Sequence, residues 1–234
     1  TDTLYEDIAI RKVYDYPKRG YVYDRNGVLL VANQPSYDVM VIPREVKPLD
    51  TIEFCELLKI SKDDFKRIYE KAYRYSPRLP SVFVPQLSKT DYAALQEKMR
   101  KFEGFYIQKR SLRDYQTSIG ANVLGDLGEV NQRTIREQPY YKMGDLIGKQ
   151  GIETSYEKQL RGVKGIKFIQ KDRFNRDIGP YKNGIYDTLP QPGKDITITI
   201  DSKLQEYGEL LMTNKRGGII AIEQSSGEIL AMVS

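Results

Sequence analysis

The chain has 234 residues and a mass of 27.0 kDa, which is enough for one large or two small domains with hydrophobic cores. It contains no histidine and a single cysteine, Cys55, which excludes Ser-His-Asp triads, Cys-His dyads, intrachain disulfides and most zinc sites. Lys and Arg outnumber Asp and Glu by 37 to 32, giving a net charge of +5 and a pI near 9.0. Because these cations are dispersed, we expect a weak attraction to anionic surfaces but no nucleic-acid binding. We also expect neither a cofactor nor a bound metal.

The first predicted elements are three β-strands. Residues 21–32 are predicted to form a hairpin, because Asn26-Gly27 populates the positive φ angles that a type I′ turn requires. Residues 37–42 supply the third strand.

The sequence then changes to helical patterns. Three helix starts carry a capping residue followed three positions later by an acid: Asp50 with Glu53, Ser61 with Asp64, and Ser88 with Asp91. Cys55 falls in the first helix, where we expect a packed, unreactive thiol. Prolines 77, 80 and 85 indicate a linker between the second and third helices, and residues 105–113 are predicted to be extended. We therefore predict that residues 46–129 form a compact inserted head.

The C-terminal half is predicted to alternate helices and strands. In a helix over residues 151–161, Ile152, Tyr156 and Leu160 recur every four residues as a buried stripe, so loss of the Tyr156 ring should cost roughly 3 kcal/mol. A strand over 166–172, turns at 179–180 and 183–184, and a strand over 196–200 follow. Asp201 then caps a helix, and residues 218–233 form a hairpin with the apolar pattern of strands buried on both faces.

Ser155 and Lys158 form the only Ser-x-x-Lys sequence in the chain, the pattern of an acylating serine. Such a serine needs the lysine beside it in a desolvated cleft, where the neutral amine can take the hydroxyl proton. On the predicted helix Lys158 projects toward solvent, and the Ser-x-Asn and Lys-Thr/Ser-Gly elements that complete the cleft are absent. We therefore interpret Ser155 and Lys158 as a decoy and expect no catalytic residue in this chain.

Two segments carry a family resemblance. The first, residues 19–33, contains Arg19, Gly20, Asp24, Arg25, Asn26 and Gly27. The second, residues 151–165, contains Gly151, Glu153, Tyr156, Leu160, Arg161, Gly162 and Gly165. In this order, followed by residues 192–205 and 217–231, they resemble the non-catalytic N-terminal module of class B penicillin-binding proteins. The long segment between them, with its sequence over 108–115, is most similar to the elongation-type members, known as penicillin-binding protein 2.

The resemblance implies an α+β fold. An elongated N-terminal pedestal, made of an anchor of strands with an inserted helical head, is followed by the opening strands and helix of a serine acyl-transferase (penicillin-binding) domain. The anchor is expected at residues 1–45 and 130–195, the head at 46–129, and the start of the transpeptidase domain, truncated before its active-site motifs, at 196–234.

The resemblance also implies a function. The chain would be the non-catalytic pedestal or dimerisation region of a penicillin-sensitive peptidoglycan D,D-transpeptidase that cross-links cell-wall stem peptides during elongation and maintains cell shape. The parent protein would bind stem peptides and β-lactams, and the implied partners are a SEDS-type glycan polymerase and an MreC-like scaffold. The alternatives are a division-type class B protein and a stand-alone periplasmic interaction module with no enzymatic parent.

Family members are held in the inner (cytoplasmic) membrane by a single N-terminal helix, with the domain in the periplasm. No apolar run in this sequence approaches the ~20 residues needed to span a bilayer, so we expect that helix to have been removed or to lie outside this sequence.

The two motif segments are predicted to bind one another through buried charges. Arg19, Asp24 or Arg25 would pair with Glu153 or Arg161, because charged side chains are rarely buried unless paired. We expect Arg25 and Glu153 in particular to couple, and Glu157 to pair with Arg161, four residues later in the same helix. The alternative is simple turn chemistry, with Asp24 and Arg25 solvated.

Overall fold

The computed structural model describes residues 9–172 and 177–234, a mixture of helices and sheets of the predicted α+β class. The helices are α1 (Thr51–Leu58), α2 (Lys62–Tyr75), α3 (Lys89–Lys98), α4 (Ala121–Leu124), α5 (Gln132–Glu137), α6 (Gly151–Ser155), α7 (Glu157–Leu160) and α8 (Ser202–Met212). The strands are β1 (Ala9–Asp15), β2 (Val22–Tyr23), β3 (Leu29–Val41), β4 (Ser81–Leu87), β5 (Phe105–Tyr115), β6 (Leu127–Glu129), β7 (Leu146–Gly148), β8 (Gly165–Lys171), β9 (Asp177–Pro180), β10 (Ile196–Thr197), β11 (Ile219–Ile222) and β12 (Ile229–Val233). Within these two ranges, no helix combines the length and the apolarity needed to cross a membrane.

The chain divides into two compact units. Unit 1 consists of the described parts of Thr1–Gln34, Arg113–Glu129 and Leu146–Ser234. Unit 2 consists of Pro35–Leu112 and Val130–Asp145. Unit 2 therefore contains most of the proposed head, but its boundaries differ from 46–129 at both ends.

Buried charge explains why residues 130–145 belong to unit 2. Arg110 on β5 is 7% exposed, and its Nε lies 2.9 Å from Asp38 Oδ2 on β3. Its Nη1 lies 3.7 Å from Asp145 Oδ1 and donates a hydrogen bond of 2.8 Å to the Gly144 carbonyl. Because a buried charge is costly without partners, these contacts fix the segment that ends at Asp145 to the strands of unit 2.

Unit 1 is built from small sheets. β1, β8 and β9 form an antiparallel sheet, β10 pairs in parallel with β2, and β2 pairs antiparallel with β3. Two further antiparallel pairs are β6 with β7 and β11 with β12. Its core contains Val22, Leu30, Val31, Leu124 and Leu160, with Ile152, Ile196 and Ile198 packed against it. The predicted C-terminal hairpin is confirmed, but it is not buried on both faces, since Ile220 and Ile222 are 60% and 58% exposed.

Unit 2 has an aromatic core beneath three capped helices. Asp50, Ser61 and Ser88 accept the predicted N-cap hydrogen bonds, so all three helix starts are confirmed. Phe54 on α1 is fully buried, and its ring centroid lies 4.5 Å from those of both Phe102 and Phe105. Cys55 is buried and burial raises the pKa of its thiol, as expected for an unreactive cysteine.

Four predictions about strands need correction. The turn predicted at 179–180 lies within β9, and the strand predicted over 196–200 is limited to β10. The third strand does not begin at Tyr37, because β3 continues without a break from Leu29 to Val41 through Pro35. The stretch before α3 is not a linker but the strand β4, which pairs antiparallel with β3. Pro85 is tolerated there because Gln86 adopts a left-handed conformation with φ of 59°, which interrupts the regular ladder.

The turn between β2 and β3 is not of type I′. Only Gly27 has a positive φ, of 83°, and its amide donates to the Asp24 carbonyl at 3.1 Å. A type I′ turn needs positive φ at both central residues, so this is a three-residue loop with glycine in the left-handed position. The Asp24 carboxylate favours it by accepting from the amides of Asn26 and Val28, both at 2.8 Å.

The predicted helix over residues 151–161 is broken in the middle. Tyr156 has φ of −110° and ψ of 23°, and this non-helical residue separates α6 from α7. As a result Leu160 is fully buried, as predicted, but Tyr156 is 44% exposed and the prediction that it is buried is wrong.

This break changes the stability expected for two alanine substitutions. Tyr156→Ala should lower the free energy of unfolding by about 1 kcal/mol or less, because much of the ring is already in water. Leu160→Ala should lower it by about 2 to 4 kcal/mol, because it leaves a cavity in the core of unit 1. Urea unfolding of both variants checks the order, and equal losses would contradict the observed break.

Candidate functional site

The principal site in unit 1 is an ionic cluster of Arg19, Arg113, Glu153 and Glu157. Glu153 is fully buried, and its two carboxylate oxygens accept from different arginines: Oε2 from Arg19 Nε at 2.7 Å and Oε1 from Arg113 Nε at 2.6 Å. Arg19 also donates to both oxygens of Glu157, at 3.2 and 2.5 Å. The cluster therefore joins the first motif segment, the second motif segment and strand β5.

Further hydrogen bonds fix the orientation of each arginine. Arg113 Nη1 donates to the Gly20 carbonyl at 2.6 Å and to Asn33 Oδ1 at 3.0 Å. Asn33 Nδ2 in turn donates to the Arg19 carbonyl, and Glu157 Oε2 accepts from the Gly148 amide at 2.9 Å. The planar guanidinium groups are suited to such fixed, multiple contacts.

The electrostatics of the two arginines differ. Burial works against the charge of Arg19, but hydrogen bonds and charge attraction from Glu157 and Glu153 outweigh it and raise its pKa. Burial dominates at Arg113 and lowers its pKa despite the attraction of Glu153. An arginine keeps its charge in a protein, so the cluster is a set of buried ions that stabilise one another.

Glycines allow the backbone segments around the cluster to approach closely. A Cβ on Gly20 would lie 2.0 Å from the Lys194 carbonyl oxygen, and the Gly20 amide donates to the Leu160 carbonyl at 2.8 Å. Gly162 has φ of 68°, and a Cβ there would lie 2.3 Å from the Gln191 carbonyl oxygen. The motif glycines therefore let residues 191–194 pack between the two motif segments.

The turn that follows β2 binds the last part of unit 1. Asp24 is fully buried, and its Oδ2 accepts from the Ser202 hydroxyl at 2.7 Å and the Ser202 amide at 3.1 Å, at the start of α8. Asn26 Nδ2 donates to Asp201 Oδ2 at 3.0 Å. Arg25 lies 3.5 Å from Glu223 and 3.6 Å from Glu228, at the ends of β11 and β12. We call these the turn contacts.

The turn contacts make the stability of unit 1 sensitive to acid. Burial alone would raise the pKa of Asp24, but hydrogen bonds from Ser202, Val28 and Asn26 lower it below its usual value. A carboxyl whose pKa is lower in the folded state contributes stability above its unfolded pKa of about 4, and that stability is lost as pH falls through the folded pKa.

We therefore expect Asp24→Asn to cost about 1 to 3 kcal/mol of unfolding free energy at neutral pH, with a smaller difference from wild type below about pH 4. Urea unfolding across a pH series measures this difference. Asp63→Asn, at an exposed carboxyl of α2, should change stability by no more than about 0.5 kcal/mol at any pH. If the loss of unfolding free energy in Asp24→Asn did not depend on pH, the negative charge of Asp24 would not contribute to stability.

These contacts show which of the predicted partners meet. Arg19 does bind Glu153, but Arg25 does not, because the chain turns at Asp24 and carries Arg25 toward Glu223 and Glu228. Asp24 binds Ser202, and Glu157 binds Arg19.

The remaining motif residues lie at the ends of elements of unit 1. Gly151 begins α6 with φ of 60°, Arg161 follows the last residue of α7 and is half-buried, and Gly165 begins β8. Ser155 and Lys158 are both exposed, on either side of the break at Tyr156.

Sequence reasoning missed Arg113, Asn33 and Ser202. Arg113 lies in the 108–115 segment that contributed to the family resemblance, and an arginine within a predicted strand was a signal that it could have a buried partner. Ser202 follows the correctly predicted cap Asp201, but no local pattern indicates contact with a residue 178 positions away.

The comparisons with known proteins identify the class. Residues 14–198 match the family described as Penicillin-binding Protein dimerisation domain, and the chain belongs to this family. Two curated relatives are peptidoglycan D,D-transpeptidases MrdA, from Acinetobacter baumannii and Salmonella typhimurium, with 31% and 32% identity. Each alignment covers 93% of this chain but only 33% and 36% of the relatives, so the chain spans about a third of their length.

One further relative and one solved structure agree with this result. Stage V sporulation protein D of Bacillus subtilis is 30% identical over 99% of this chain and 34% of its own length. A solved complex between penicillin-binding protein PBP2 and MreC from Helicobacter pylori has a TM-score of 0.70 at 22% identity and covers 97% of this chain and 43% of that one, which establishes the fold alone. The predicted membership in the class B penicillin-binding proteins is confirmed, with proteins of the penicillin-binding protein 2 type among its relatives.

Proposed function

We propose that this chain is the non-catalytic pedestal of an elongation-type peptidoglycan D,D-transpeptidase, and that the ionic cluster and the turn contacts hold its two motif segments to the start of the transpeptidase domain. The single observation that carries the proposal is the pairing of Arg19 with Glu153 in the interior of unit 1. Side chains from both motifs are thereby used to bind one another, and not to bind or activate a substrate.

The opening of the transpeptidase domain, in this proposal, is residues 196–234. It comprises β10, α8 and the β11–β12 hairpin. Asp24, Arg25 and Asn26 contact four of its acidic or hydroxyl side chains, those of Asp201, Ser202, Glu223 and Glu228. Through these contacts the pedestal would fix the orientation of the first helix of the domain that carries out cross-linking.

The proposed parent acts in the periplasm, anchored to the inner membrane, with a SEDS-type polymerase and an MreC-like scaffold as partners. The fold shared with the PBP2 chain of the Helicobacter pylori complex supports the scaffold as a partner. Identities of about 30% to the MrdA transpeptidases support the elongation role.

Labelling with a fluorescent penicillin tests the assignment. Residues 1–234 should remain unlabelled, whereas a chain extended to the length of the MrdA relatives should be labelled covalently. A label on residues 1–234 that is lost in Ser155→Ala would overturn the non-catalytic role.

Titration calorimetry tests the partner. The chain should bind the periplasmic part of an MreC-like protein from the same organism, and should bind a division-type scaffold much more weakly. The reverse preference would favour the division-type alternative. Deleting residues 46–129 is not a suitable test, because it would remove Arg113 and leave Glu153 buried with one fewer counter-charge.

A further inference from the structure

An open apolar cleft lies on one face of the β1–β8–β9 sheet in unit 1. It has a volume of about 590 Å³ and is lined by Ile10, Lys12, Phe168, Tyr181 and Tyr186. Ile10 and Lys12 alternate along β1, and Phe168 pairs with Lys12 across the ladder, so the three side chains share one face of the sheet. The Tyr181 and Tyr186 rings stack with their centroids 5.9 Å apart. We call this surface the sheet cleft.

The sheet cleft exposes more apolar surface than scattered side chains would. Ile10 is 46% exposed, Tyr186 is 53% exposed, and Ile185, beside Tyr186 in the chain, is 78% exposed. A single exposed aliphatic side chain needs no explanation, but a contiguous apolar concavity is typical of a binding surface.

The charge around the sheet cleft is positive. Lys182 Nζ lies 5.4 and 5.6 Å from the centroids of the Tyr181 and Tyr186 rings, and Lys12 Nζ lies 5.3 Å from that of Tyr14. In the part of the chain that the structure describes, neither lysine forms an ion pair with a carboxylate.

The nearby carboxylates are already engaged. Asp177 lies 3.3 Å from Arg11, Asp15 lies 3.4 Å from Lys167, and Asp187 accepts from the Phe168 amide at 2.9 Å. Asp187 keeps its negative charge, because a backbone amide is neutral, but Lys12 and Lys182 together outweigh it and leave the described part of this surface with a net positive charge.

We propose that the sheet cleft is a contact surface for an anionic lipid bilayer. Tyrosines prefer the boundary between acyl chains and headgroups, since the ring is apolar and the hydroxyl is polar. Ile10 and Ile185 would enter the acyl boundary, while Lys12 and Lys182 extend to the phosphates. This contact goes beyond the proposed function, because it would be made by the folded domain itself and does not depend on an anchor helix or on transpeptidation.

A second copy of the chain is the less suitable occupant. In a two-fold contact the same surface faces itself, so two surfaces with the same net positive charge would be brought together. Like charges brought together in this way oppose association, whereas the same charges favour an anionic membrane.

Vesicle co-sedimentation of residues 1–234 tests the proposal. The chain should bind vesicles of phosphatidylethanolamine and phosphatidylglycerol, bind phosphatidylcholine vesicles at least about tenfold more weakly, and lose affinity as salt is raised. Lys12→Gln and Lys182→Gln should each weaken binding about fivefold, and Ile185→Ser about tenfold. Circular dichroism should show the wild-type fold in all three variants.

Matched controls come from the same unit. Lys215→Gln and Leu210→Ser change an exposed lysine and a 69% exposed leucine outside the cleft, and they should leave vesicle binding unchanged. Equal loss in the controls, binding that does not depend on anionic lipid, or no binding at all would overturn the proposal. So would a dimer in analytical ultracentrifugation that the cleft variants dissociate.

Discussion

Replacing Glu153 with alanine is expected to lower the free energy of unfolding by about 3 to 5 kcal/mol, because it leaves two buried arginines without their shared counter-charge. Arg113 should be the more affected, since Glu153 is the only carboxylate within ion-pair distance of it among the described residues, whereas Arg19 retains Glu157. Urea unfolding measures the loss.

Two controls separate charge from packing in this experiment. Glu153→Gln keeps the shape and one acceptor oxygen, so a loss close to that of alanine would assign the effect to charge. Glu206→Ala, at an exposed carboxylate of α8, should change stability by no more than about 0.5 kcal/mol. A loss below about 1 kcal/mol for Glu153→Ala would mean that the cluster is not structurally important.

The second large effect is expected in unit 2. Phe54→Ala should cost about 3 to 5 kcal/mol, because the ring is fully buried and packs against Phe102 and Phe105. Thermal or urea unfolding followed by near-ultraviolet circular dichroism reports on this core.

Tyr73→Ala serves as the comparison for Phe54→Ala. It also removes a ring from unit 2, but that ring is 53% exposed on α2, so the expected cost is about 1 kcal/mol or less. Similar losses for the two variants would contradict the burial that distinguishes them.

Local chemistry was predictable from the sequence. The N-cap hydrogen bonds of Asp50, Ser61, Ser88 and Asp201 each involve residues only two or three positions apart, and all four caps were predicted correctly. The helix break at Tyr156 was not predictable, because the apolar spacing continues through it and the interruption accompanies close backbone packing of Gly148 and Gly151. Strand β4 was missed because its proline suggested a linker, although a single left-handed residue accommodates it.

The candidate site was predictable only in part. Burial of paired charges indicated that Arg19 would bind Glu153, and the structure places them in contact. The same argument could not distinguish Arg19 from Arg25, because the direction of each side chain depends on the loop between them. Arg113 and Ser202 reach the site from distant parts of the chain, and one sequence does not indicate which distant residue each of them contacts.

The central claim is that Arg19 and Glu153 bind one another in the interior and join the two family motifs. A double-mutant cycle with Arg19→Ala and Glu153→Ala measures that interaction directly, and a parallel cycle with Arg25→Ala provides the contrast. We expect a coupling free energy of about 1.5 to 3 kcal/mol for Arg19 with Glu153, and one within about 0.5 kcal/mol of zero for Arg25 with Glu153. Coupling near zero in both cycles, or coupling only to Arg25, would contradict the account.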